Sequence, residues 1–377
     1  MLYRTLAGER VSQLGFGAMR LPTVGGAPDG AVDVPETVRM LRYAIDSGVN
    51  YLDTAWAYHK GESEGIVGQA LRDGYRDRTF IATKSPVWMM KEAADFDRYL
   101  DTQLERLGTD HIDFYLLHAL NAGSWETCKR LGALDFLERA KKLGKIQHAG
   151  FSFHDELPVF KQIVDEGSWD FCQIQYNYLD RGFQAGLEGL RYAKERGLDV
   201  IVMEPLRGGS LARSIPPSVQ TVWDGAAVRR TPAEWAFRWV WDQPEVSLVL
   251  SGMGAMEQVE QNLRTASTAP AGGLTPDERV LVDAAEAAYR GETRIDCTAC
   301  RYCMPCPSGV DIPGNFAHYN LYFMFMQDPQ VKADYAWISV DERANVCAEC
   351  GACEELCPQH LPIQEHLKAV TAAFVGA

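Results

Sequence analysis

Along the first 290 or so residues, short runs rich in β-branched and aromatic residues alternate with stretches of helical periodicity. The runs SQLGFG, NYLDTA, TFIATK, IDFYLLH, IQHAGFS, DFCQIQY, LDVIVME and SLVLSG predict strands. Between them, PETVRMLRYAIDSG, FDRYLDTQLERLG, LDFLERAKKLGK and LEGLRYAKERG predict amphipathic helices, several ending in Gly as helix C-termini often do. Strand–helix alternation with right-handed crossovers gives an α/β fold, either a doubly wound sheet or a (β/α)₈ TIM barrel. Eight strands in a stretch close to the ~250 residues typical of a barrel favour the second. No GxGxxG follows the first strand, which counts against a Rossmann-type site.

Polar residues close these apolar strands: Asp53, Lys84, His118, Ser152, Gln175, Glu204 and Ser251. In a barrel those ends converge on one mouth, where such enzymes keep their chemistry; in an open sheet they would spread along an edge. The register of seven polar termini therefore supports the barrel.

A change in cysteine usage marks a second region. Only Cys128 and Cys172 precede residue 297, whereas eight cysteines lie between Cys297 and Cys357. The boundary is expected near Gly291, after APAGGLTPDE and a helix running to about Tyr289. That divides the chain into residues 1–290, the barrel, and 291–377, a small cysteine-rich domain.

Charge and composition narrow the function class. With 37 Lys+Arg against 51 Asp+Glu, the net charge is −14, which argues against a nucleic-acid groove. No apolar run approaches the ~20 residues of a membrane span. The start, MLYRTLAGERVSQLGFG, lacks the basic and apolar regions of a secretory signal, so a cytoplasmic location is expected. In that compartment the cysteines are expected to bind metal rather than form disulfides.

Several segments, in order along residues 1–290, resemble the aldo-keto reductase family. GVNYLDTAWAYHKGESEGIVGQAL is similar to its signature, IATKSP to its lysine segment and IDFYLLHAL to its histidine segment. The resemblance implies a catalytic tetrad of Asp53, Tyr58, Lys84 and His118. Carbonyl reduction by hydride leaves an alkoxide that needs a proton. A tyrosine, with an ordinary pKa near ~10, donates poorly unless its phenolate is stabilised. Lys84 would supply that stabilisation, Asp53 would hold Lys84, and His118 would polarise the carbonyl.

GKIQHAGFS, QIQYNYLDR, EPLRGGSL and SGMGAMEQVEQNL resemble the family's cofactor-binding segments. The resemblance places Ser152 and Gln175 on the nicotinamide carboxamide and Tyr176 against its ring. It places Pro205, Leu206, Gly208 and Gly209 on the pyrophosphate, where the glycines would let backbone amides approach. Ser251, Gly252, Met253, Gln258 and Asn262 would take the adenosine half. Many relatives carry a basic residue after the last strand for the 2′-phosphate of NADPH; here Gly254 and Ala255 stand there, so NADP or NAD is expected. Trp56, Trp88, Met89, Trp125 and Phe153 are candidates for the pocket lining.

The cysteines form two arrays, 50 residues apart: Cys297-x2-Cys300-x2-Cys303-x2-Cys306-Pro307 and Cys347-x2-Cys350-x2-Cys353-x3-Cys357-Pro358. The second fits the bacterial ferredoxin run C-x2-C-x2-C-x3-C-P; the first is one residue short before its last cysteine. Two [4Fe–4S] clusters are expected rather than zinc, which prefers paired C-x2-C knuckles. The aromatic-rich IPGNFAHYNLYFMFMQDP predicts a helix between the arrays and resembles the all-helical ferredoxin modules. That resemblance implies a crossed ligand set: Cys297, Cys300 and Cys303 with Cys357, and Cys347, Cys350 and Cys353 with Cys306. The clusters would either carry electrons or staple a tail too small for a core of its own.

The expected function is nicotinamide-dependent reduction of an aldehyde or ketone, or the reverse alcohol oxidation. The alternative is a redox-sensing or electron-transfer protein whose barrel binds nicotinamide without significant turnover. A small carbonyl or alcohol is the expected substrate, and a redox partner protein at the clusters a possible second ligand. No flavin motif is visible to link one-electron clusters to a two-electron nicotinamide.

Overall fold

The alternation of inward and outward side chains along each strand builds the first unit around a single apolar interior. The computed structural model describes residues 1–26 and 30–375, which form two compact units, Met1–Pro205 with Glu234–Leu274, and Leu206–Ala233 with the segment from Thr275 onward. In the first unit the hairpin β1 (Tyr3–Leu6) and β2 (Glu9–Ser12) precedes eight parallel strands: β3 (Leu14–Gly17), β4 (Tyr51–Asp53), β5 (Phe80–Ser85), β6 (Ile112–Leu120), β7 (Ile146–Phe153), β8 (Phe171–Gln175), β9 (Asp199–Met203) and β10 (Val246–Gly252). They close in the order β10-β3-β4-β5-β6-β7-β8-β9. Every strand expected from the sequence is present, and the barrel is the fold.

The hairpin was not anticipated. Ala7 and Gly8 both take positive φ, 51° and 87°, as a tight hairpin turn requires. Leu6 and Val11 then join Tyr51, Phe114, Phe171, Ile201 and Leu248 in one buried cluster. The Ala7 amide donates to Asp199 Oδ2 at the start of β9, so the hairpin closes the end opposite the strand C-termini.

Inside the barrel, Tyr51, Ala82, Phe114, Leu116 and Phe171 face inward. Because side chains alternate with a period of two, the residues two or four further on face the same way. These are Asp53, Lys84, His118, Gln173 and Gln175. The ladder keeps them in step, pairing Asp53 with Ala82 and Lys84 with Leu116. Gly150 of β7 makes room for a neighbour, since a Cβ there would lie 2.5 Å from the Phe171 carbonyl oxygen and 2.8 Å from its ring.

The second unit is helical, with no strand among its described residues. It contains Ser210–Arg213, Pro217–Asp224, Pro276–Arg290, Ile312–Met324, Pro329–Asp334, Ala352–Glu355 and Ile363–Phe374. Thr275 and Glu278 form a reciprocal capping box at the start of Pro276–Arg290. The aromatic-rich stretch is a helix as expected, ending where Met326 and Gln327 adopt positive φ before Asp328-Pro329. Val310, Ile312, Phe316, Tyr335, Ile363, Leu367 and Val370 form the core, with most of the clustered cysteines packed against it. The cysteine-rich stretch thus shares a compact unit with the helix before it and with the segment Leu206–Ala233. No described helix is long and apolar enough to cross a membrane.

Candidate active site

Three strand ends and one loop bring the expected tetrad together. Asp53 ends β4, Lys84 lies near the end of β5, and Tyr58 opens the short turn Tyr58–Gly61 that follows β4. His118 sits where the β6–β7 register shifts, between Leu117 and Leu120. Lys84 Nζ donates to Asp53 Oδ1 at 2.7 Å, to the Thr54 carbonyl at 2.8 Å and to the Tyr58 hydroxyl at 3.3 Å. The Tyr58 and His118 rings meet edge-on, 5.9 Å between centroids.

Burial sets the protonation states. It acts most strongly on Lys84, favouring the neutral amine, but Asp53 and Tyr58 together outweigh it and hold the ammonium above its usual range. Burial pushes Asp53 up and Lys84 opposes the rise. Tyr58 also rises: desolvation exceeds the downward pull of Lys84, and the Asp53 charge adds to it. Lys84 therefore lies beside the hydroxyl, yet the net effect keeps the phenol protonated. His118 falls well below 6.5, through burial first and then the charges of Lys84 and His154, so its imidazole is neutral. Its Nδ1 and Asp53 Oδ2 are buried without a protein partner.

A buried polar brace lies behind Lys84. Glu64 Oε1 accepts from Thr83 Oγ1 and Gln103 Nε2, both at 2.6 Å, and Glu64 Oε2 accepts from Arg106 at 3.0 Å. Gln103 Nε2 also donates to the Lys84 carbonyl at 3.0 Å. Sequence reasoning missed this brace; its only signal was an acidic residue inside the helix Ser63–Ala70 at a position facing the strands.

The expected cofactor residues divide by the direction they face. Ser152 and Gln175 are inward: Ser152 Oγ accepts from the Ala119 amide at 2.8 Å, and Gln175 Nε2 reaches Asp180 at 3.2 Å. Gln173 Oε1, inward on the same strand, is buried without a partner. Inward amides and a hydroxyl with spare hydrogen-bonding capacity fit a nicotinamide carboxamide. Tyr176 faces elsewhere; it is buried, 5.1 Å from the Trp239 ring, and presents no open face for stacking.

At the end of β10, Ser251 faces outward and its Oγ accepts from Asn262 at 3.1 Å. Met253 is fully buried, and Gln258 Oε1 accepts from the Gly254 amide at 2.8 Å. Gly252 lies against Arg20, whose guanidinium pairs with Glu204 at 3.2 Å. This cation after β3 was not anticipated from the sequence. Pro205 is the last residue of its stretch of the first unit. In the second unit, Leu206 leads into the turn Arg207–Gly209, in which Gly208 and Gly209 have φ of 65° and 91° and the Gly209 amide donates to the Leu206 carbonyl at 2.9 Å.

The two cysteine arrays share one backbone design. The amide two residues after the first cysteine donates to its sulfur in each, Ala299 to Cys297 and Glu349 to Cys347, both at 3.4 Å. Positive φ recurs two and four residues on, at Ala299 and Arg301 and at Glu349 and Gly351. Amide-to-sulfur hydrogen bonds of this kind stabilise cluster thiolates. Cys297, Cys300, Cys303 and Cys357 line one cavity with Ile312 and Phe316. Burial pushes the Cys353 thiol up to about 11, with Glu354 and then Cys347 and Cys306 adding to the rise. One cavity thus gathers Cys357 with the first three cysteines of the other array. Among the described residues no three His, Cys, Asp or Glu side chains gather closely enough for a single ion.

The sequence profile described as the Aldo/keto reductase family matches residues 13–271. The chain belongs to the aldo/keto reductase family. A second profile, described as a 4Fe-4S dicluster domain, matches residues 296–361. The NADH-specific methylglyoxal reductase of Escherichia coli is 27% identical over 67% of this chain and 89% of its own. L-galactose dehydrogenase of Arabidopsis thaliana is 26% identical over 74% and 91%. Among solved structures, the holo form of the aldo-keto reductase AKR11C1 from Bacillus halodurans superposes with a TM-score of 0.64 at 26% identity, covering 76% of this chain and 96% of that one. An aldo-keto reductase from Klebsiella pneumoniae in complex with NADPH matches with a TM-score of 0.59 at 26% identity, over 75% and 95%.

In this aldo/keto reductase barrel the aromatic candidates for the pocket separate clearly. Trp88 is 54% exposed with its ring 5.0 Å from His118, and Met89 beside it is also exposed. Trp56 is half-buried beneath the Arg106 guanidinium, 3.7 Å from its ring. Trp125 and Phe153 are core residues instead: Trp125 donates to Glu166 and packs on Trp169, and Phe153 is fully buried. Large aromatic side chains fill outward strand positions and helix faces as readily as a mouth, so residue type alone does not separate the two.

Proposed function

We propose that the protein reduces a small aldehyde or ketone with NADPH or NADH as hydride donor, or oxidises the corresponding alcohol with NADP+ or NAD+ as hydride acceptor. The contact of Lys84 with both Asp53 and the Tyr58 hydroxyl carries this reading. When bound, the nicotinamide supplies a hydride to the carbonyl carbon. Tyr58 donates its proton to the carbonyl oxygen as charge develops there, and the resulting phenolate is stabilised by the Lys84 ammonium until solvent returns a proton. His118, neutral, donates a hydrogen bond to the same oxygen and polarises it. One hydride and one proton thus convert the carbonyl to an alcohol. Ser152 and Gln175 orient the carboxamide, Pro205, Leu206, Gly208 and Gly209 serve the pyrophosphate, and the Ser251–Asn262 segment serves the adenosine half.

The relatives that act on methylglyoxal and L-galactose support a small, oxygen-rich carbonyl or alcohol as substrate. In the second unit, Cys297, Cys300, Cys303 and Cys357 would hold one [4Fe–4S] cluster, and Cys306, Cys347, Cys350 and Cys353 the other. The test is turnover of oxygen-free protein with each nicotinamide and a panel of carbonyls that includes methylglyoxal, followed by cofactor absorbance. Tyr58→Phe should lower kcat at least ~100-fold while cofactor affinity barely changes. Near-wild-type turnover in that variant would move the chemistry to another group.

A further inference from the structure

We propose that Asp328, in the cysteine-rich unit, is a positioning residue for the nicotinamide cofactor, acting through the Leu206–Arg213 turn. The proposal rests on the reading that this turn serves the cofactor pyrophosphate. Asp328 is only 4% exposed, yet both its carboxylate oxygens are engaged. Oδ1 accepts from the Gln330 amide at 2.8 Å and caps the helix Pro329–Asp334. Oδ2 accepts from Ser214 Oγ at 2.7 Å and faces Arg213 Nη2 at 3.5 Å. Arg213 in turn donates from Nη1 to the Gly208 carbonyl at 3.0 Å.

A relay therefore runs from a buried carboxylate, through a guanidinium, to the peptide that joins the two glycines. The turn depends on it. Gly208 and Gly209 take left-handed φ, a conformation with little intrinsic preference to persist. A Cβ on Gly209 would lie 2.2 Å from Arg213 Nη1, so glycine is what lets the guanidinium seat against the backbone. Arg207, at the start of the turn, stacks its guanidinium 5.5 Å from the Phe325 ring. Ser218 Oγ is held by Glu292 at 2.6 Å and Arg230 by Glu278 at 2.5 Å, so the rest of the segment is anchored as well.

One element ties this relay to the thiol cavity. The helix Ile312–Met324 lines that cavity with Ile312 and Phe316 at its start. Phe325 and Asp328 follow its end, about 20 Å away at the usual rise per residue. A cluster held in that cavity would order the start of the helix whose far end carries the residues that hold the turn.

The test uses anaerobically purified full-length protein with NADPH and NADH as probes. Binding is measured by nicotinamide fluorescence, alongside iron and labile sulfide content. Asp328→Ala should raise the Kd of both nucleotides ~10- to 100-fold, the range for losing a charged hydrogen-bond acceptor, with iron content unchanged. The KM for nucleotide should rise in parallel, while kcat at saturating nucleotide should stay within a few-fold. Asp328→Asn, which keeps the cap and an acceptor for Ser214, should recover part of the affinity. Ser214→Ala leaves every charge in place and should weaken binding by a smaller factor, which keeps the test decisive if Asp328→Ala folds poorly. Unchanged Kd in Asp328→Ala and Ser214→Ala overturns the proposal, as does weakening only in proportion to lost iron. If the wild-type protein binds neither nucleotide, the functional reading itself falls and this proposal with it; wild-type binding with unaffected variants overturns the positioning role alone.

Discussion

Lys84 Nζ lies 2.7 Å from Asp53 Oδ1 inside the barrel, and neither residue is more than 3% exposed. A fully buried ion pair is a poor source of net stability, because desolvating both charges offsets most of their attraction. Its value at this place is to keep an ammonium beside the Tyr58 hydroxyl. Removing one partner leaves a buried charge alone, which gives a signature that mutagenesis can read.

Lys84→Met should destabilise the protein by about 3–5 kcal/mol, the usual cost of orphaning one member of a buried pair. The double variant Asp53→Leu with Lys84→Met should lose less than the sum of the two single changes, because no unpaired charge remains. Denaturant unfolding of the four proteins under identical anaerobic conditions measures the coupling. Strict additivity would show that the two side chains do not depend on each other.

The pH dependence follows from His118, whose pKa lies well below 6.5 through burial and then the Lys84 and His154 charges. A depressed histidine is neutral in the fold at pH 6.5, where the unfolded chain is half protonated. Its contribution to stability is present above 6.5 and is lost as pH falls below that toward the folded value. On the proposed mechanism, carbonyl reduction uses the neutral imidazole and should show no acidic limb near 6.5. An inflection there that vanishes in His118→Gln would place the imidazole in a solvated, ordinary environment.

Cofactor choice should turn on the segment after β10. Gly254 and Ala255 are exposed and bring no cation, and Arg20 nearby is paired with Glu204. The Kd values for NADPH and NADH should therefore differ little. Ala255→Arg, at the N-cap of the helix Met256–Thr268, should favour NADPH by about 10-fold, the lower range for a charged hydrogen bond to phosphate. Competitive binding of the two nucleotides reads the ratio, and a strong native NADPH preference would assign the phosphate to another arginine.

The proposed crossing of the cysteines makes a prediction that sequence proximity would not. Anaerobic protein should contain about eight irons and eight labile sulfides. Cys297→Ser and Cys357→Ser should each lose the same cube, and combining them should lose no more. Cys353→Ser with Cys357→Ser, only four residues apart, should lose both cubes. Iron and sulfide analysis decides it; equal loss from the Cys353/Cys357 pair and from either single change would mean that each array holds its own cluster.

Strand–helix alternation, the count of eight strands and their polar ends together determined the barrel, because each strand buries both faces and only the strand ends meet at one mouth. The cysteine spacing determined a metal-binding second region just as directly, since thiolates must be presented at fixed intervals to reach a small inorganic core. Asp53, Lys84 and His118 were legible because a polar residue ending an apolar strand stands out against its surroundings. Tyr176 and Trp125 were not, because an aromatic side chain is equally at home in a pocket or a core, and only packing against Trp239 and Trp169 decided between them. The same holds for the net rise of the Tyr58 pKa, which depends on how far burial exceeds one neighbouring charge. Tertiary structure alone also brought Asp328 to Ser214 across 114 residues of chain, since contacts over that separation arise from folding and leave no local pattern to read.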